Sequence, residues 1–243
     1  MSRKKKSVPR WPSRSRTSGF KKLLVAAIAA AAVGGGAIAI NNSNYIRGEK
    51  VVYVVDGDTF ITENHQSIRL AGLDAPEIGN CMAADAKKAL SNLILGKRVK
   101  LADLKADPFR RIMALVYLNS TLVNEVMIRA GFAQYTQWSG NDKAKLTGAN
   151  MYARTRAIGI FSPVCTQPVP PDTKCLVKGN YDTKVNKKFY YTTDCRNYLQ
   201  VIIMKYQGDA WFCTEAEARK AGFVKSETCP SASSGRASSE GKR

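Results

Sequence analysis

VVYVVDGDTFITENHQSIRLAGLDAPE, residues 51–77, carries the reading of the fold. Val51-Val52-Tyr53-Val54-Val55 is a β-branched run that ends in Asp56-Gly57, a turn pair. Thr59-Phe60-Ile61-Thr62 resumes the strand, Glu63-Asn64-His65-Gln66 turns the chain, and Ser67-Ile68-Arg69-Leu70 returns. A sheet this small must close on itself or be covered to bury its faces. Downstream, residues 82–95 (MAADAKKALSNLIL) change period: Ala83, Ala86, Leu90 and Leu93 form the apolar stripe of a helix that Gly96 stops. Arg98-Val99-Lys100-Leu101 and Met113 to Leu118 alternate again as strands. Thr121 to Ala130 reads as a short helix stopped by Gly131, and residues 143–158 as a basic helix stopped by Gly159. Five short strands with a helix between the third and fourth fit a β-barrel of OB type, five strands plus three helices, over residues 50–162.

The whole chain has 243 residues, 44% hydrophobic and 23% charged, which excludes disorder throughout and a multi-span membrane protein. His65 is the single histidine, so a His₃ metal site within one chain is excluded and a Ser-His-Asp triad would have to use it. Residues 1–22 hold nine basic and no acidic side chains, and residues 23–40 (LLVAAIAAAAVGGGAIAI) are 18 consecutive apolar or Gly residues. That order reads as an export leader. As a helix the apolar run reaches about 27 Å, slightly short of the hydrocarbon core, and Ala37-Ile38-Ala39 offers a small-x-small cleavage site. A cleaved signal peptide and a transmembrane anchor through residues 23–40 both follow. Either way the rest of the chain is expected to be secreted, periplasmic or anchored outside the cytoplasmic membrane, with residues 41–49 as a linker. Lys and Arg number 38 against 19 Asp and Glu, a net charge of +19. Without the leader it is still about +10, which favours polyanionic partners: nucleic acid, anionic lipid or cell-surface polymer.

The six cysteines are Cys81, Cys165, Cys175, Cys195, Cys213 and Cys229. In an exported chain they read as disulfides. Five of them follow residue 160, which suggests a small disulfide-stapled α/β module over residues 173–229, after a Pro-rich linker at 163–172. No CxxC pair occurs, yet four thiolates on Zn²⁺ remain an alternative. Strands are expected at Lys188–Tyr191 and Val201–Lys205, and a helix at 214–221 capped by Thr214 with Glu217. Lys184, Lys187 and Lys188 lie beside Phe189, Tyr190 and Tyr191, a mix that either stacks bases and holds phosphates or forms the core of a tiny domain. The Ser/Gly-rich tail 230–243 is expected to be disordered.

Two acidic clusters, Asp56-Gly57-Asp58-Thr59 and Asp74-Ala75-Pro76-Glu77, each follow a strand. Carboxylates on rigid turns suit a hard divalent cation, Ca²⁺ or Mg²⁺. Arg69 leads into the second cluster, and Arg110-Arg111 begins the last barrel strand. Guanidinium pairs well with phosphate. A cation, arginines and a spare carboxylate suffice to hydrolyse a phosphodiester without histidine or a covalent nucleophile.

Val55-Asp56-Gly57-Asp58-Thr59, Ile68 to Glu77 (IRLAGLDAPE), Asp107 to Ala114 (DPFRRIMA), Val123-Asn124-Glu125 and Gly131-Phe132-Ala133 together resemble the thermonuclease, or staphylococcal nuclease-like, family over about residues 50–162. The resemblance implies a five-stranded barrel that cleaves single- and double-stranded DNA and RNA with Ca²⁺ (Mg²⁺ is the lesser expectation) and leaves 3′-phosphate ends. It implies Asp58, Asp74 and the carbonyl of Ala75 as metal ligands. Glu77 becomes the general base or the group that positions water, and Arg69 and Arg111 hold the scissile phosphate. Asp56 stands just outside the metal's ligands. Arg110 replaces the family's usual glycine and is a candidate for a share in the phosphate contact; Phe109 replaces a tyrosine. Cys175-Leu-Val-Lys-Gly-Asn, Lys188-Phe-Tyr-Tyr, Asp194-Cys195 and Trp211-Phe212-Cys213 look similar to a small cysteine-containing module appended to bacterial members, with Tyr191 where a histidine is usual. A Cys81–Cys165 pair would leave four cysteines for this module. The competing readings are a nucleic-acid-binding barrel of the cell envelope without catalysis, and an envelope structural protein whose module binds wall polymer. DNA and RNA are the expected partners, and no protein partner is implied.

Overall fold

The computed structural model describes residues 46–230 apart from Arg110 and Asn141, all within one compact unit. The expected leader, the apolar run 23–40 and residues 231–243 of the tail lie outside the described residues. The transmembrane expectation is withdrawn: among the described residues no helix is long and apolar enough to cross a membrane. The longest of them, Lys143–Thr155, has 13 residues, which is about 20 Å against a hydrocarbon core of about 30 Å.

The first half of the unit runs β1 (Ile46–Val54), β2 (Thr59–Thr62), β3 (Ser67–Leu70), β4 (Leu73–Asp74), α1 (Ala83–Ile94), β5 (Arg98–Ala106), β6 (Ile112–Leu118), β7 (Thr121–Leu122), α2 (Val123–Arg129), β8 (Gln134–Tyr135) and α3 (Lys143–Thr155). β1, β2, β3, β5 and β6 close a five-stranded barrel. Its seam is the parallel pairing of β3 with β6, Ile68 opposite Ile112 and Leu70 opposite Ala114. The first strand starts at Ile46, earlier than its β-branched run suggested, because β5 continues to pair with it as far as Leu101. A bulge between Val51 and Tyr53 lets Val51 and Val54, three apart, both face the core while Val52 and Tyr53 stay exposed.

Phe60, Ile68, Leu90, Leu101, Leu115 and Met127 are fully buried in one continuous core. Each such side chain contributes about 1.5–3 kcal/mol over leaving it in water. α1 lays Ala83, Ala86, Leu90 and Ile94 against the barrel, with Ile94 taking the inward position expected for Leu93. α2 is tied down by a buried amide. Asn124 accepts from Val116 N (2.8 Å) and donates to the carbonyls of Ala71 (2.8 Å) and Ala114 (3.2 Å).

The second half comprises β9 (Thr166–Gln167), β10 (Val177–Asp182), β11 (Lys187–Tyr191), β12 (Ile203–Met204), β13 (Ala210–Phe212), α4 (Glu215–Lys220) and β14 (Val224–Lys225). Four of these strands form a sheet in the order β13-β10-β11-β14, and β9 pairs with β12. The strand expected over Val201–Lys205 shrinks to Ile203–Met204, because Asp209 captures the Met204 N–H (2.9 Å) and the chain turns at Lys205–Gln207. Thr214 caps α4 by accepting from Glu217 N, as its sequence predicts. Disulfides join Cys175 to Cys213 and Cys195 to Cys229 within the module, and Cys81 to Cys165 across to the barrel. No described cysteine is free, which removes the zinc alternative.

Candidate active site

The two acidic turns are built differently and meet at one arginine. In the first, Asp56 Oδ1 accepts from the N–H groups of Asp58 (3.0 Å) and Thr59 (2.8 Å), a side-chain-closed turn. Gly57 is needed here for room. A Cβ at that position would lie 2.7 Å from the Cβ atoms of both Ala75 and Ala86, so the first turn can press against the second and against α1. The second turn follows β4, whose pairing with β8 sets Asp74 opposite Gln134.

Asp58 is 2% exposed. Its Oδ2 accepts from Ala75 N (3.0 Å), and its Oδ1 from the Thr59 hydroxyl (2.8 Å) and Arg69 Nη1 (2.5 Å). The other arm of the same guanidinium, Nη2, donates to Asp74 Oδ1 (2.6 Å). Arg69 can do this because Ile68 and Leu70 point into the barrel core, leaving the residue between them on the outer face. Burial raises Asp58 to about 7, more than Arg69, Ala75 N and the Thr59 hydroxyl pull it down; Asp56 nearby adds to the rise.

Glu77 is exposed on the loop after Ala75, and Asn80 N donates to its carbonyl (2.9 Å). With Asp74 and Ala75 it lines a cavity of about 380 Å³. Arg111 sits at the start of β6, where Asp107 holds it: Oδ2 accepts from its Nε (2.6 Å) and Oδ1 from its N–H (2.8 Å). The structure thus brings Asp58, Arg69, Asp74 and Ala75 into direct contact, with Asp56 and Glu77 on the same two turns. Among the described residues Arg111 makes no hydrogen bond or ion pair with any of these, and Arg110 lies outside the described residues. The described residues also group Asp172 with Cys175 and Cys213 at metal-ligand spacing, but both cysteines are committed to a disulfide.

Sequence reasoning singled out Lys188 in a basic and aromatic mix but missed that it shares a cavity with Glu77. Tyr181, Lys188, Tyr206 and Gln207 of the module face Glu77 across it. Gln134, the partner of Asp74, accepts from the Tyr206 hydroxyl (3.4 Å) and Gln207 Nε2 (3.3 Å). No local pattern places Tyr181, Tyr206 or Gln207 beside Glu77.

A family model described as "Staphylococcal nuclease homologue" matches residues 67–163. An "Uncharacterized endonuclease" of Haemophilus influenzae is 34% identical over 149 residues, 59% of this chain and 79% of the relative. The chain belongs to the staphylococcal nuclease family. Other family relatives include a "Micrococcal nuclease" of Shigella flexneri, 32% identical over 133 residues (48% of this chain, 74% of the relative), and an "Uncharacterized endonuclease" of Escherichia coli, 33% identical over 127 residues (50% and 80%). At the level of the family the chain is a hydrolytic nuclease with a cysteine-rich C-terminal module.

Proposed function

We propose that the chain is an exported, Ca²⁺-dependent endonuclease that hydrolyses DNA and RNA with little sequence specificity and leaves 3′-phosphate ends. The observation that carries this reading is a single guanidinium with a carboxylate on each arm, Asp58 from one turn and Asp74 from the other. That bridge, with hydrogen bonds of 2.5 and 2.6 Å to one guanidinium, brings both turns to one point, where a shift of the carboxylates to about 5 Å or less apart would let one ion engage both.

The donor set fits a hard divalent cation: two carboxylates and the Ala75 carbonyl, all oxygen, beside a buried Asp58 whose raised pKa marks a site short of positive charge. Residue types alone do not separate Ca²⁺ from Mg²⁺; Ca²⁺ follows the family resemblance. Asp58, Asp74 and Ala75 would hold the ion, which when bound neutralises charge building on the phosphoryl oxygens and acidifies water. Arg69 has further N–H donors to offer a phosphate beyond the two engaged by the aspartates. Arg111, with Nε held by Asp107, presents its terminal nitrogens. Glu77 takes a proton from the attacking water or orients it. Asp56 Oδ1 is committed to the turn, which leaves Oδ2 to order a water. Contacts that all go to phosphate carry no sequence information, hence the low specificity. Three disulfides suit an oxidising compartment, in keeping with export.

The test is plasmid incubated with the purified chain and Ca²⁺. Degradation should stop with a chelator, and Glu77→Gln should slow it by about 10²-fold or more. Product ends should resist polymerase extension until treated with a phosphatase. Tight binding that leaves the plasmid intact would replace the enzyme with a non-catalytic binding barrel.

A further inference from the structure

The cavity beside Glu77 does not end at the barrel. Asp74 and Glu77 form one side, and Tyr181, Lys188 and Tyr206 form the other. A second groove, about 600 Å³, shares Tyr181 and Lys188 with the first and continues over the module past Lys187, Phe189 and Lys225, with Glu227 also in its lining. We propose that the two grooves are one path for a nucleic-acid strand, along which Lys187 and Lys188 hold phosphates and Tyr181 offers its ring to a base next to the cleavage position. This inference rests on the nuclease reading above and adds the module to the substrate site.

The wall is rigid where it matters. The Cys81–Cys165 disulfide fastens the start of the module to the loop that carries Glu77. Asn80 donates to the Tyr206 carbonyl (3.3 Å), and Tyr206 and Phe161 are buried together in the joint. Asp209, 4% exposed, accepts from Tyr181 N (2.7 Å) and Met204 N (2.9 Å), so one buried carboxylate sets both Tyr181 and the stretch leading to Tyr206. Tyr181 is further fixed by donating its hydroxyl to Asn186 (2.5 Å).

Its chemistry is that of a strand binder: exposed lysines beside partly exposed aromatic rings. Tyr190 and Tyr191 are buried and belong to the module's core, so only part of that aromatic cluster is free to stack. Lys188 lies over the Phe223 ring, and among the described residues neither it nor Lys187 forms an ion pair. Lys225 is shared with Glu215 (3.9 Å) and contributes less. The carboxylates of Asp74 and Glu77 repel an approaching phosphate chain, and cations on the opposite wall offset that repulsion where the strand must enter.

The experiment is fluorescence anisotropy of the full chain, in chelator to prevent cleavage, with labelled oligothymidylates of about 12 and about 3 nucleotides. Lys187→Gln with Lys188→Gln should weaken the longer strand about tenfold and lower the slope of log affinity against log salt by roughly 1.4, the loss of two phosphate contacts. The short strand should change much less. A charge-matched control, Lys174→Gln with Lys220→Gln, should move neither. Tyr181→Ala should weaken the longer strand by about fivefold or more without changing the salt slope. Circular dichroism confirms folding of each variant. Equal losses in test and control pairs, or an unaltered length dependence, overturn the proposal. If the wild type never cleaves plasmid with Ca²⁺ but the length and salt effects appear, the strand path stands and the nuclease reading falls. Cleavage with no length or salt effect sinks the path alone.

Discussion

Phe60, Ile68, Leu90 and Leu115 belong to a core that runs unbroken through the barrel and under α1 and α2, whereas among the described residues the module's sheet and α4 gather a small cluster of Val177, Tyr190, Ala218 and Phe223 with Phe212 against it. The module instead has two internal disulfides. The reason is size. A short chain cannot remove enough apolar surface from water to offset the entropy of ordering it, so cross-links do part of the work. The difference teaches something about function as well. A fold set by covalent links need not commit its surface to packing, and the module can keep lysines and partly open rings on display beside a site that the barrel builds from rigid turns.

The comparison predicts distinct failures. Phe60→Ala, at the centre of the barrel, should cost about 3–5 kcal/mol and take activity, barrel and module down in one cooperative transition. Replacing Cys195 and Cys229 with serine should cost about 2–5 kcal/mol, but as a separate early loss of near-ultraviolet signal and of long-strand affinity while the barrel's transition stays put. A single merged transition in that variant would show that the two halves do not differ in the way described. Gly57→Ala should cost about 1–3 kcal/mol by overpacking against Ala75 and Ala86, and should weaken Ca²⁺ more than it lowers the melting temperature, because it wedges the acidic turns apart.

The last prediction is a pH dependence. A carboxylate's ordinary value near 3.8 applies to Asp58 in the unfolded chain, and burial raises it to about 7 in the folded one. Between these values the folded state holds more protons, so stability without metal should fall as pH rises from about 4 to about 7. Melting temperatures in chelator should drop across that window. Asp58→Asn should flatten the curve, leaving a residual slope from Asp209, which burial also raises. Saturating Ca²⁺ should flatten it too, since a nearby cation favours the ionised carboxylate.

How much of this was legible follows residue chemistry. The barrel strands and α1 could be read because alternation and helical period are local signals, and the slip from Leu93 to Ile94 is one residue of phase on the same face. The carboxylates and Arg69 could be read because each sits in a turn or strand end with its own signature. β10 could not. Lys178 interrupts its apolar pattern although it is buried, its Nζ donating to the carbonyls of Tyr198 (2.8 Å) and Val201 (2.5 Å). Gly179, next to it, has no side chain because Phe212 and Phe223 lie where a Cβ would go. Gly57 looked like a turn former and proved to be a point of contact. Asn124 and Gln134 act on partners far away in the chain, and nothing beside them in the sequence says so.

The parallel seam between β3 and β6 has a consequence for how this molecule can change. Arg69 stands one position past Ile68, and Arg111 one position before Ile112, and those two isoleucines face each other across the seam. The spacing of Arg69 and Arg111, the two proposed phosphate grips, is therefore written into barrel closure itself. Loosening the wall at that join would move those two proposed grips relative to each other, so the edge that closes the barrel would also set the width of the proposed substrate hold.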